Sequence, residues 1–509
     1  MSTSTQFYPI NFYKKREEHY HLLPFNFRRR SNGTVLLTNI SGEFISIPTG
    51  SFEKLVQHHL EVDSKLFNKL RSRHFLCFNE EAGLDRLASK LWTKKSILQG
   101  FSRLHIFVLT LRCNCACTYC QASRQSKDAT NYYDMSIESA RKSVDLMMQC
   151  PAKDITVEFQ GGEPLLNFDV LKEIVHYCKK INQTAEKNLS FVACTNLSLA
   201  TDEVLQFFKD EGISVSTSVD GPAKLHDFNR CRAIKSACHS VVVEKIKKAR
   251  DVLGRQNVSA LMTTTRESLK YPKEIVDEYL KLDLGSIFVR ALNPYGYAVK
   301  TEKAIGYSTE EFVTFYKQIL DYIIEVNRKG IVFPEAYATL LLRKMLTPWP
   351  VGFVDLQSPT GNGFAVTVYN YDGDVYASDE SRMLSEMGDP HFRLGSALTD
   401  SYEEIFFGKT MQSLATNGIA ETLAGCCDCA YVPYCGADPV RNYATQKDEY
   451  GNRPSSSFCQ KNKAIFDILF EIWENADSQL KAILWSWLRD CSPKEIDLNA
   501  CPSTRIQNA

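Results

Sequence analysis

The segment LHIFVLTLRCNCACTYCQ, residues 104–121, runs from an apolar strand directly into four closely spaced cysteines. Cys113, Cys117 and Cys120 form a Cys-x3-Cys-x2-Cys pattern, with Cys115 between them. Thiolates at this spacing on a loop are typical ligands of an iron–sulfur cluster or of zinc. Three ligands leave one iron of a 4Fe-4S cluster open, whereas structural zinc usually takes four protein ligands. Cys115 lies too close to its neighbours for comfortable tetrahedral closure and is expected to point elsewhere on the loop.

Five further apolar runs follow this segment, and helical patterns lie between them. The runs are ITVEFQ (155–160), LSFVAC (189–194), ISVSTSV (213–219), VSALMTT (258–264) and SIFVRAL (286–292). Strands that alternate with helices predict an α/β fold with a parallel sheet covered by helices. Six such units are too few for the eight-stranded barrel, so residues 100–330 are expected to form a partial (β/α)6 barrel or an open sheet. A helix is predicted over residues 310–330.

Polar motifs stand where these predicted strands end. They are EFQGGEPLL (158–166), CTN (194–196), SVDGP (218–222) and TTTR (263–266). Barrels and open α/β sheets place their ligands at this edge. Each motif alone also has a structural interpretation: the two glycines as a tight turn, Glu163 as an acid at a helix start, and Asp220-Gly221-Pro222 as a plain turn.

Taken together, the cysteine loop and the motifs resemble the radical S-adenosylmethionine (SAM) enzymes. The resemblance implies that Cys113, Cys117 and Cys120 hold a catalytic 4Fe-4S cluster that binds SAM. It further implies that Tyr119 lies near the adenine, that Gly161, Gly162 and Glu163 hold the SAM amino group, and that Asn196 and Ser218 lie near the ribose. Asp220 is the candidate catalytic residue for proton handling.

A second cysteine group lies in GCCDCAYVPYCGADP, residues 425–439. Cys426, Cys429 and Cys435 are followed by Cys459, and Cys427 is an additional thiol. A zinc ribbon is one interpretation of this spacing. The group also resembles the SPASM extension of peptide- and protein-modifying radical SAM enzymes, which usually holds two auxiliary 4Fe-4S clusters. The four spaced cysteines match the ligands of the second auxiliary cluster.

Ligands of the first auxiliary cluster are missing from the sequence. The family's Gly-x4-Cys element would end at Ser378, and the cysteine expected four positions after Cys435 is replaced by Pro439. No cysteine occurs between Cys238 and Cys426. Because serine and proline are poor replacements for thiolates on iron, one auxiliary cluster is expected.

Composition excludes several classes of protein. The 60 Lys+Arg residues balance the 60 Asp+Glu residues, so no excess positive charge favours nucleic acid as a partner. No run approaches the roughly 18 to 20 apolar residues of a membrane span, and the start lacks the apolar core of a secretory signal. We therefore expect a cytoplasmic protein with neither membrane nor nucleic acid as partner. Its 17 cysteines are then metal ligands or bystanders, and Cys194 is assigned to the buried bystanders.

Four regions are predicted along the chain. Residues 1–95 contain two strands within 34–48 and helices over 51–60 and 64–76, the latter with Asp63 as N-cap, which together form a winged-helix-like module. This module resembles the peptide recognition element of peptide-maturation systems. The barrel covers 100–330. A Cys-rich SPASM-like domain with little helical periodicity covers 345–470, and 471–509 form a C-terminal helix (Gln479–Leu488) and a tail.

The resemblance is strongest to the B-type radical SAM maturase of the His-Xaa-Ser peptide system. HYHLLPFNF (19–27), NYDGDVYASDE (370–380) and PYCGADPV (433–440) carry it, together with the motifs above. It implies a precursor peptide rich in His-Xaa-Ser repeats as substrate, an electron donor, and a second radical SAM protein as a possible partner. A 5′-deoxyadenosyl radical would abstract hydrogen from the peptide. The alternatives are a sulfatase-type radical SAM maturase and a non-catalytic protein with two structural zinc sites.

Overall fold

The structure, a computed structural model, describes residues 8–15, 19–230 and 238–498. Its largest sheet has nine strands, and six of them lie side by side in chain order and run parallel. These six are Leu104–Thr110, Asp154–Gly161, Asn188–Cys194, Ile213–Ser218, Val258–Thr263 and Val289–Arg290. The predicted partial (β/α)6 barrel is confirmed.

Helices cover this parallel sheet. They are Ile137–Met148, Phe168–Ala185, Asp202–Glu211, Ala223–Arg230, His239–Leu253, Pro272–Lys281, Tyr297–Ile305, Thr309–Arg328 and Ala336–Leu346. Thr309–Arg328 confirms the helix predicted over 310–330, and its Phe312, Phe315 and Ile319 are buried. A capping box between Ser308 and Glu311 fixes its start, because each side chain satisfies a backbone N–H of the other residue.

The sixth parallel strand is shorter than the predicted 286–292. Only Val289 and Arg290 form the strand, paired with Met262 and Thr263. The segment before this strand forms a hydrogen bond elsewhere: Ile287 N–H donates to the carbonyl oxygen of Pro334 and not to the neighbouring barrel strand.

The sheet continues beyond the predicted barrel. Strand Val366–Tyr369 pairs in parallel with the first barrel strand, and Asp374–Tyr376 and Arg393–Ser396 follow in antiparallel pairing. The sheet therefore crosses the boundary expected between 330 and 345.

The Cys-rich region also contains more helix than its sequence pattern predicted. Its helices are Asp379–Glu386, Tyr402–Phe406, Lys409–Asn417, Pro439–Gln446 and Ser457–Asn475. The expectation of little helix here is wrong. Most of these helices are short and begin at a Ser or Asp N-cap, and such short pieces carry little periodic signal.

The N-terminal module contains the predicted hairpin, Thr34–Thr38 with Phe44–Pro48, and a third strand of the same sheet, Asn26–Arg29, at its edge. His21–Leu22 and Leu76–Cys77 form a separate antiparallel pair. Its helices are Ile10–Lys14, Thr49–Val56, Lys65–Ser72 and Glu80–Lys94. The predicted N-cap at Asp63 is wrong. Ser64 caps the helix and accepts a hydrogen bond from Phe67 N–H at 3.2 Å. Asp63 has φ +63°, the left-handed conformation of the preceding turn.

Near the C-terminus, helix Ser478–Arg489 confirms the predicted Gln479–Leu488. Residues 499–509 of the predicted tail lie outside the described residues. Within the described ranges, none of the helices combines the length and the apolar character that a bilayer crossing requires.

Candidate active site

One cavity of about 480 Å³ lies at the carboxyl ends of the six parallel strands. The loop between the first two strands and the ends of the others line it, which is where an α/β barrel places its ligands. Its walls contain all but one of the site residues predicted in the barrel: Cys113, Cys117, Tyr119, Cys120, Gly161, Gly162, Glu163, Asn196 and Ser218. Asp220 is not among the lining residues.

The cysteine loop is closed at its base by two short strands. Arg112–Cys113 pairs in parallel with Gln125–Ser126. The Arg112 guanidinium donates to both carboxylate oxygens of Asp134, at 2.8 Å from Nε and 2.6 Å from Nη2. A bidentate pair of this kind fixes direction as well as distance. The loop is therefore held firmly between its two ends.

The thiols of the loop are not equivalent. The hydrogen bond from the Cys115 thiol, helped by the Arg230 cation, lowers the pKa of Cys117 to about 7, whereas burial raises the pKa of Cys120 to about 11. Hydrogen bonds to Cys113 and Cys117, and then burial, raise the pKa of Cys115. The expectation that Cys115 points elsewhere is wrong, because its thiol lies beside these two cysteines.

The residues of this wall fit a cluster held by three thiolates. Cys113, Cys117 and Cys120 line one cavity, and Cys117, the most acidic of the shifted thiols, faces the buried Arg230 cation. In the part of the chain that the structure describes, no three His, Cys, Asp or Glu side chains converge as ligands of one ion. Cluster thiolates bind separate irons and need no such convergence. The ligand assignment stays a prediction.

Glycine is required at positions 161 and 162 because the backbone of residues 110–112 passes close to both. Gly161 has φ +153°, and a Cβ there would lie 2.0 Å from the Thr110 carbonyl oxygen. A Cβ on Gly162 would lie 2.4 Å from the Arg112 carbonyl oxygen. The end of the second strand can therefore lie against the start of the cysteine loop only with glycine at both positions.

Glu163 is fully buried and is bonded to the protein. Its carboxylate accepts hydrogen bonds from Thr195 Oγ1 at 2.6 Å, Asn196 N–H at 2.9 Å and Leu165 N–H at 3.2 Å. Burial raises its pKa, while these donors oppose the rise. The side chain therefore ties the second strand end to the third.

Asn196 connects the third strand end to the cysteine loop. Its Nδ2 donates to Asn114 Oδ1 at 2.9 Å and to Cys115 Sγ at 3.2 Å, and its Oδ1 accepts from Ser198 N–H at 2.9 Å. The amide thus fixes the position of Cys115. Ser218 lines the cavity at the end of the fourth strand.

Asp220 lies behind the cavity wall. The Tyr119 hydroxyl donates to its carboxylate at 2.8 Å, and Arg230 Nη1 donates to the same hydroxyl at 2.6 Å. Asp220 is fully buried, and burial raises its pKa while Arg230 opposes the rise. Because Tyr119 stands between Asp220 and the cavity, the carboxylate is placed to hold the Tyr119 ring. This geometry does not support the proton-handling role predicted for Asp220.

Sequence reasoning missed the acids that do line the cavity: Glu158, Asp355, Asp379 and Glu380. Burial, and then the charges of Asp355 and Asp379, raise the pKa of Glu380 to about 8. Its nearest cation is Arg290 at 3.9 Å. Asp379 is instead paired with the buried Arg382. The segment DVYASDE held the signal, since two adjacent acids follow a strand end.

Cys194 was assigned to the bystanders, and this is wrong. It lines the cavity, and its side chain hydrogen-bonds with Glu158 and Ser216. Three aromatic rings, Phe288, Tyr337 and Phe353, also line this cavity, and their centroids lie 5.9 to 6.2 Å apart.

The cysteines of the second group lie on a loop and at the start of a helix. Cys426, Cys429 and Cys435 lie on the loop, and Cys459 is in the first turn of Ser457–Asn475. The Cys459 thiol lies close enough to those of Cys426 and Cys429 for their charges to interact, and the Cys435 thiol interacts with the same two residues. Cys427 is exposed. The four predicted ligands therefore lie near one another.

Cations surround this group in a way that fits an anionic cluster. The charges of Arg28, Lys344, Arg453 and Lys463 act on its thiols. Burial lowers the pKa of Lys344 to about 8, and its Nζ donates to the carbonyl oxygens of Leu356 and Cys435. A thiolate-bound cluster would supply the negative charge that such buried cations favour.

Both substituted positions of the first auxiliary cluster begin helices. Ser378 caps Asp379–Glu386 and forms a capping box with Ser381. Pro439 is the first residue of Pro439–Gln446, and Asp438 caps that helix. These side chains therefore have structural roles in helix initiation.

Comparisons with known proteins agree with this geometry. Residues 107–279 match the family described as the radical SAM superfamily. A cysteine-type anaerobic sulfatase-maturating enzyme of Clostridium novyi is 23% identical over 364 residues, which cover 70% of this chain and 91% of that enzyme. An uncharacterised protein of Methanocaldococcus jannaschii is 29% identical over 200 residues, and this chain covers 65% of its length.

Two solved structures share the fold. The structure described as native anSMEcpe with bound AdoMet has a TM-score of 0.60 at 19% identity, covering 75% of this chain and 99% of that one. Streptococcus suis SuiB bound to precursor peptide SuiA has a TM-score of 0.52 at 14% identity, covering 87% of this chain and 100% of that one.

The family match and the cavity lead to one assignment. The radical SAM family binds SAM and a 4Fe-4S cluster. The alternative of a non-catalytic zinc protein is set aside, because the matched region carries the three-cysteine loop at the cavity. Residues 107–279 are therefore a radical SAM domain, the chain is similar in sequence to the anaerobic sulfatase-maturating enzymes, and a domain of this kind makes it an enzyme.

Proposed function

We propose that this enzyme modifies a ribosomally synthesised precursor peptide, one that carries His-Xaa-Ser repeats. The observation that carries the proposal is the composition of the cavity at the strand ends. The three-cysteine loop forms one wall, and aromatic and charged residues from 288–380 and 441–465 form the other. A peptide side chain on the second wall would lie next to SAM on the first.

Cys113, Cys117 and Cys120 would hold the cluster, and the cluster with bound SAM would supply the radical chemistry that removes a hydrogen atom from the peptide. The protein contributes position and exclusion of water. Arg112 and Asp134 fix the ends of the cysteine loop. Gly161 and Gly162 bring the second strand end against that loop and are the proposed contacts for the SAM amino group.

Tyr119, Asn196 and Ser218 are the proposed contacts for the adenine and ribose. Hydrogen bonds from Tyr119 to Asp220, and from Arg230 to Tyr119, hold the ring in place. Glu163 holds the turn that carries Asn196. The carboxylates that can exchange a proton with a substrate are those that line the cavity, and among them burial and the charges of Asp355 and Asp379 raise the pKa of Glu380 to about 8.

The N-terminal module is the proposed binding site for the leader of the peptide. Its strand Asn26–Arg29 is at the edge of the sheet and pairs on one side with Thr34–Thr38. Among the described residues, no other backbone bonds to its outer edge. Phe27 on this strand is 46% exposed. An extended peptide can add to such an edge as a further strand.

The proposed setting is the cytoplasm, where thiols stay reduced. An electron donor and a second radical SAM protein are proposed partners, on the strength of the sequence resemblance alone. A second candidate function is sulfatase maturation, because the chain covers 91% of a sulfatase-maturating relative.

Co-expression and mass spectrometry test the proposal. The enzyme is expressed with a tagged precursor carrying His-Xaa-Ser repeats, or with a sulfatase-derived peptide containing cysteine or serine. We expect a mass change in the repeat peptide only, and its loss with Cys117→Ala. Modification of the sulfatase peptide alone would favour the second candidate, and an unchanged mass of both peptides would contradict both.

A further inference from the structure

A second cavity of about 260 Å³ adjoins the first. The two share five wall residues, so they meet at a common neck: Ala291, Asn293, Phe312, Arg441 and Lys461. The remaining walls of the second cavity come mainly from residues 292–309 and from Thr445 and Ser457. It lies next to the substrate wall, since it includes none of the cysteine-loop or Gly161–Glu163 residues.

Two cations from different helices form one side of this neck. Lys461 Nζ lies 5.4 Å from the ring centroids of both Tyr337 and Phe458. The Arg441 guanidinium lies 5.5 Å from the same Phe458 ring, and its Nη1 donates to Asn293 Oδ1 at 3.1 Å. The aromatic rings stabilise the positive charges but leave room for an anion.

Protein carboxylates do not pair with these two cations. Among the described residues, no ion pair joins Arg441 or Lys461 to an acid, although the charge of Asp355 acts on Lys461 and the charge of Asp438 interacts with Arg441. Asp379 forms an ion pair with Arg382, and Glu380 lies nearest to Arg290. Glu302, the acid on the wall of the second cavity, is exposed.

Half-buried cations that face a cavity without an ion-paired acid favour a bound carboxylate, which would form charge-assisted hydrogen bonds with them. SAM also has a carboxylate, but the cofactor wall has its own cations, Arg124 and Arg230. A carboxylate at the neck therefore belongs to the peptide.

We propose that Arg441 and Lys461 form a carboxylate-binding site that anchors an acidic side chain or the C-terminal carboxylate of the peptide. The anchored group lies in the neck, and the residue to be modified lies in the first cavity. The site selects peptides that have a carboxylate at a fixed distance from the modified residue. This inference rests on the proposed peptide substrate.

Selection from a random displayed peptide library tests the site without knowledge of the precursor. The anaerobic holoenzyme is the bait, and Lys461→Gln and Arg441→Gln are compared with it. Lys300→Gln is the matched control, because Lys300 is an exposed cation near the second cavity that does not line it. Wild-type enzyme and control should enrich Asp or Glu at one position, and both neck variants should lose that enrichment.

A selected peptide is then synthesised as the free acid, as the C-terminal amide, and with the acid replaced by its amide residue. Loss of the anchoring carboxylate should weaken binding to the wild type about tenfold, and should have little effect on the neck variants. The two chemical changes distinguish a side-chain anchor from a C-terminal one. Iron content and the visible spectrum verify that Lys461→Gln, close to Cys459, retains its clusters.

Three outcomes would overturn the inference. Wild-type enzyme could enrich peptides without any acidic preference. Neck variants could lose SAM affinity while keeping the preference, which would assign the cations to the cofactor. Enrichment of no peptide at all would contradict the proposed peptide substrate, and the anchoring site with it.

Discussion

Cys115 and Cys117 are neighbours on one loop and are expected to differ sharply in function. Cys117→Ala should abolish reductive SAM cleavage, because it removes one of three cluster thiolates. Cys115→Ala should retain most of the cleavage, because Cys115 is not one of the three assigned ligands and its thiol is bonded to Asn196 and to the two adjacent cysteines. Chromatographic detection of 5′-deoxyadenosine, with iron analysis of both variants, measures this. Equal loss in the two would refute the ligand assignment.

Glu380 should make stability depend on pH. Its pKa is raised in the folded protein to about 8, so the stability present below the unfolded pKa of about 4.5 is lost as pH rises through 8. The free energy of unfolding of the wild type should therefore decrease between pH 5 and pH 9. In Glu380→Gln this decrease should be smaller by about 1 to 3 kcal/mol. Anaerobic urea unfolding at both pH values measures it. Glu403→Gln, at an exposed acid, should leave the pH dependence unchanged.

The sequence predicts correctly which residues reach the cavity where that position follows directly from the end of a strand. Gly161, Asn196 and Ser218 reach the cavity because every parallel strand ends at the same edge. Asp220 follows a strand end too, but spacing cannot show that Tyr119 lies between it and the cavity. Glu380 was missed because its importance comes from packing between segments distant in sequence.

At the scale of elements, continuous apolar runs gave five of the six barrel strands to within one or two residues at each end. Asn26–Arg29 was missed because three of its four residues are polar and its pairing depends on the neighbouring hairpin. Helix Ser457–Asn475 was missed because its first turns face the cysteine group and the cavity, and so carry polar residues such as Lys461.

The turn after the second strand should tolerate no side chain. Gly161→Ala would place a Cβ 2.0 Å from a backbone oxygen at a φ that disfavours alanine. We expect a loss of roughly 1 to 3 kcal/mol in stability, together with weakened SAM binding, since the cysteine loop must shift. Thermal unfolding and equilibrium dialysis measure these. Gly285→Ala, with no atom within 4 Å, should change neither, and normal SAM affinity in Gly161→Ala would contradict the argument.

The edge strand of the N-terminal module should bind the leader. Phe27→Glu should weaken peptide binding because it places a charge on the exposed edge, and it should spare uncoupled SAM cleavage. Fluorescence anisotropy with a labelled precursor measures the affinity. Trp92→Glu changes a more exposed aromatic residue, on helix Glu80–Lys94, and should bind normally. Unchanged affinity in Phe27→Glu would exclude this edge as the binding site.

For the whole molecule, we expect two clusters and about eight irons per chain. Ser378 and Pro439 initiate helices and provide no thiolate for a third cluster. Cys459→Ala should reduce the content to about four irons while SAM still binds. Iron and sulfide analysis after anaerobic reconstitution measures the number. A content of about twelve irons, or full iron in Cys459→Ala, would contradict this assignment.

The N-terminal sheet is held by the second cysteine loop. Asn26 Nδ2 donates to the carbonyl oxygens of Cys427 and Cys429, and Thr38 Oγ1 donates to that of Ala430. About 400 residues separate these partners in the chain, and closing so long a loop is slow because it is entropically costly. During synthesis the strands that carry Asn26 and Thr38 therefore cannot form these bonds until residues 427–430 have been made. Chains released before residue 430 would lack this attachment and expose the surface that it covers, which makes them targets for proteolysis.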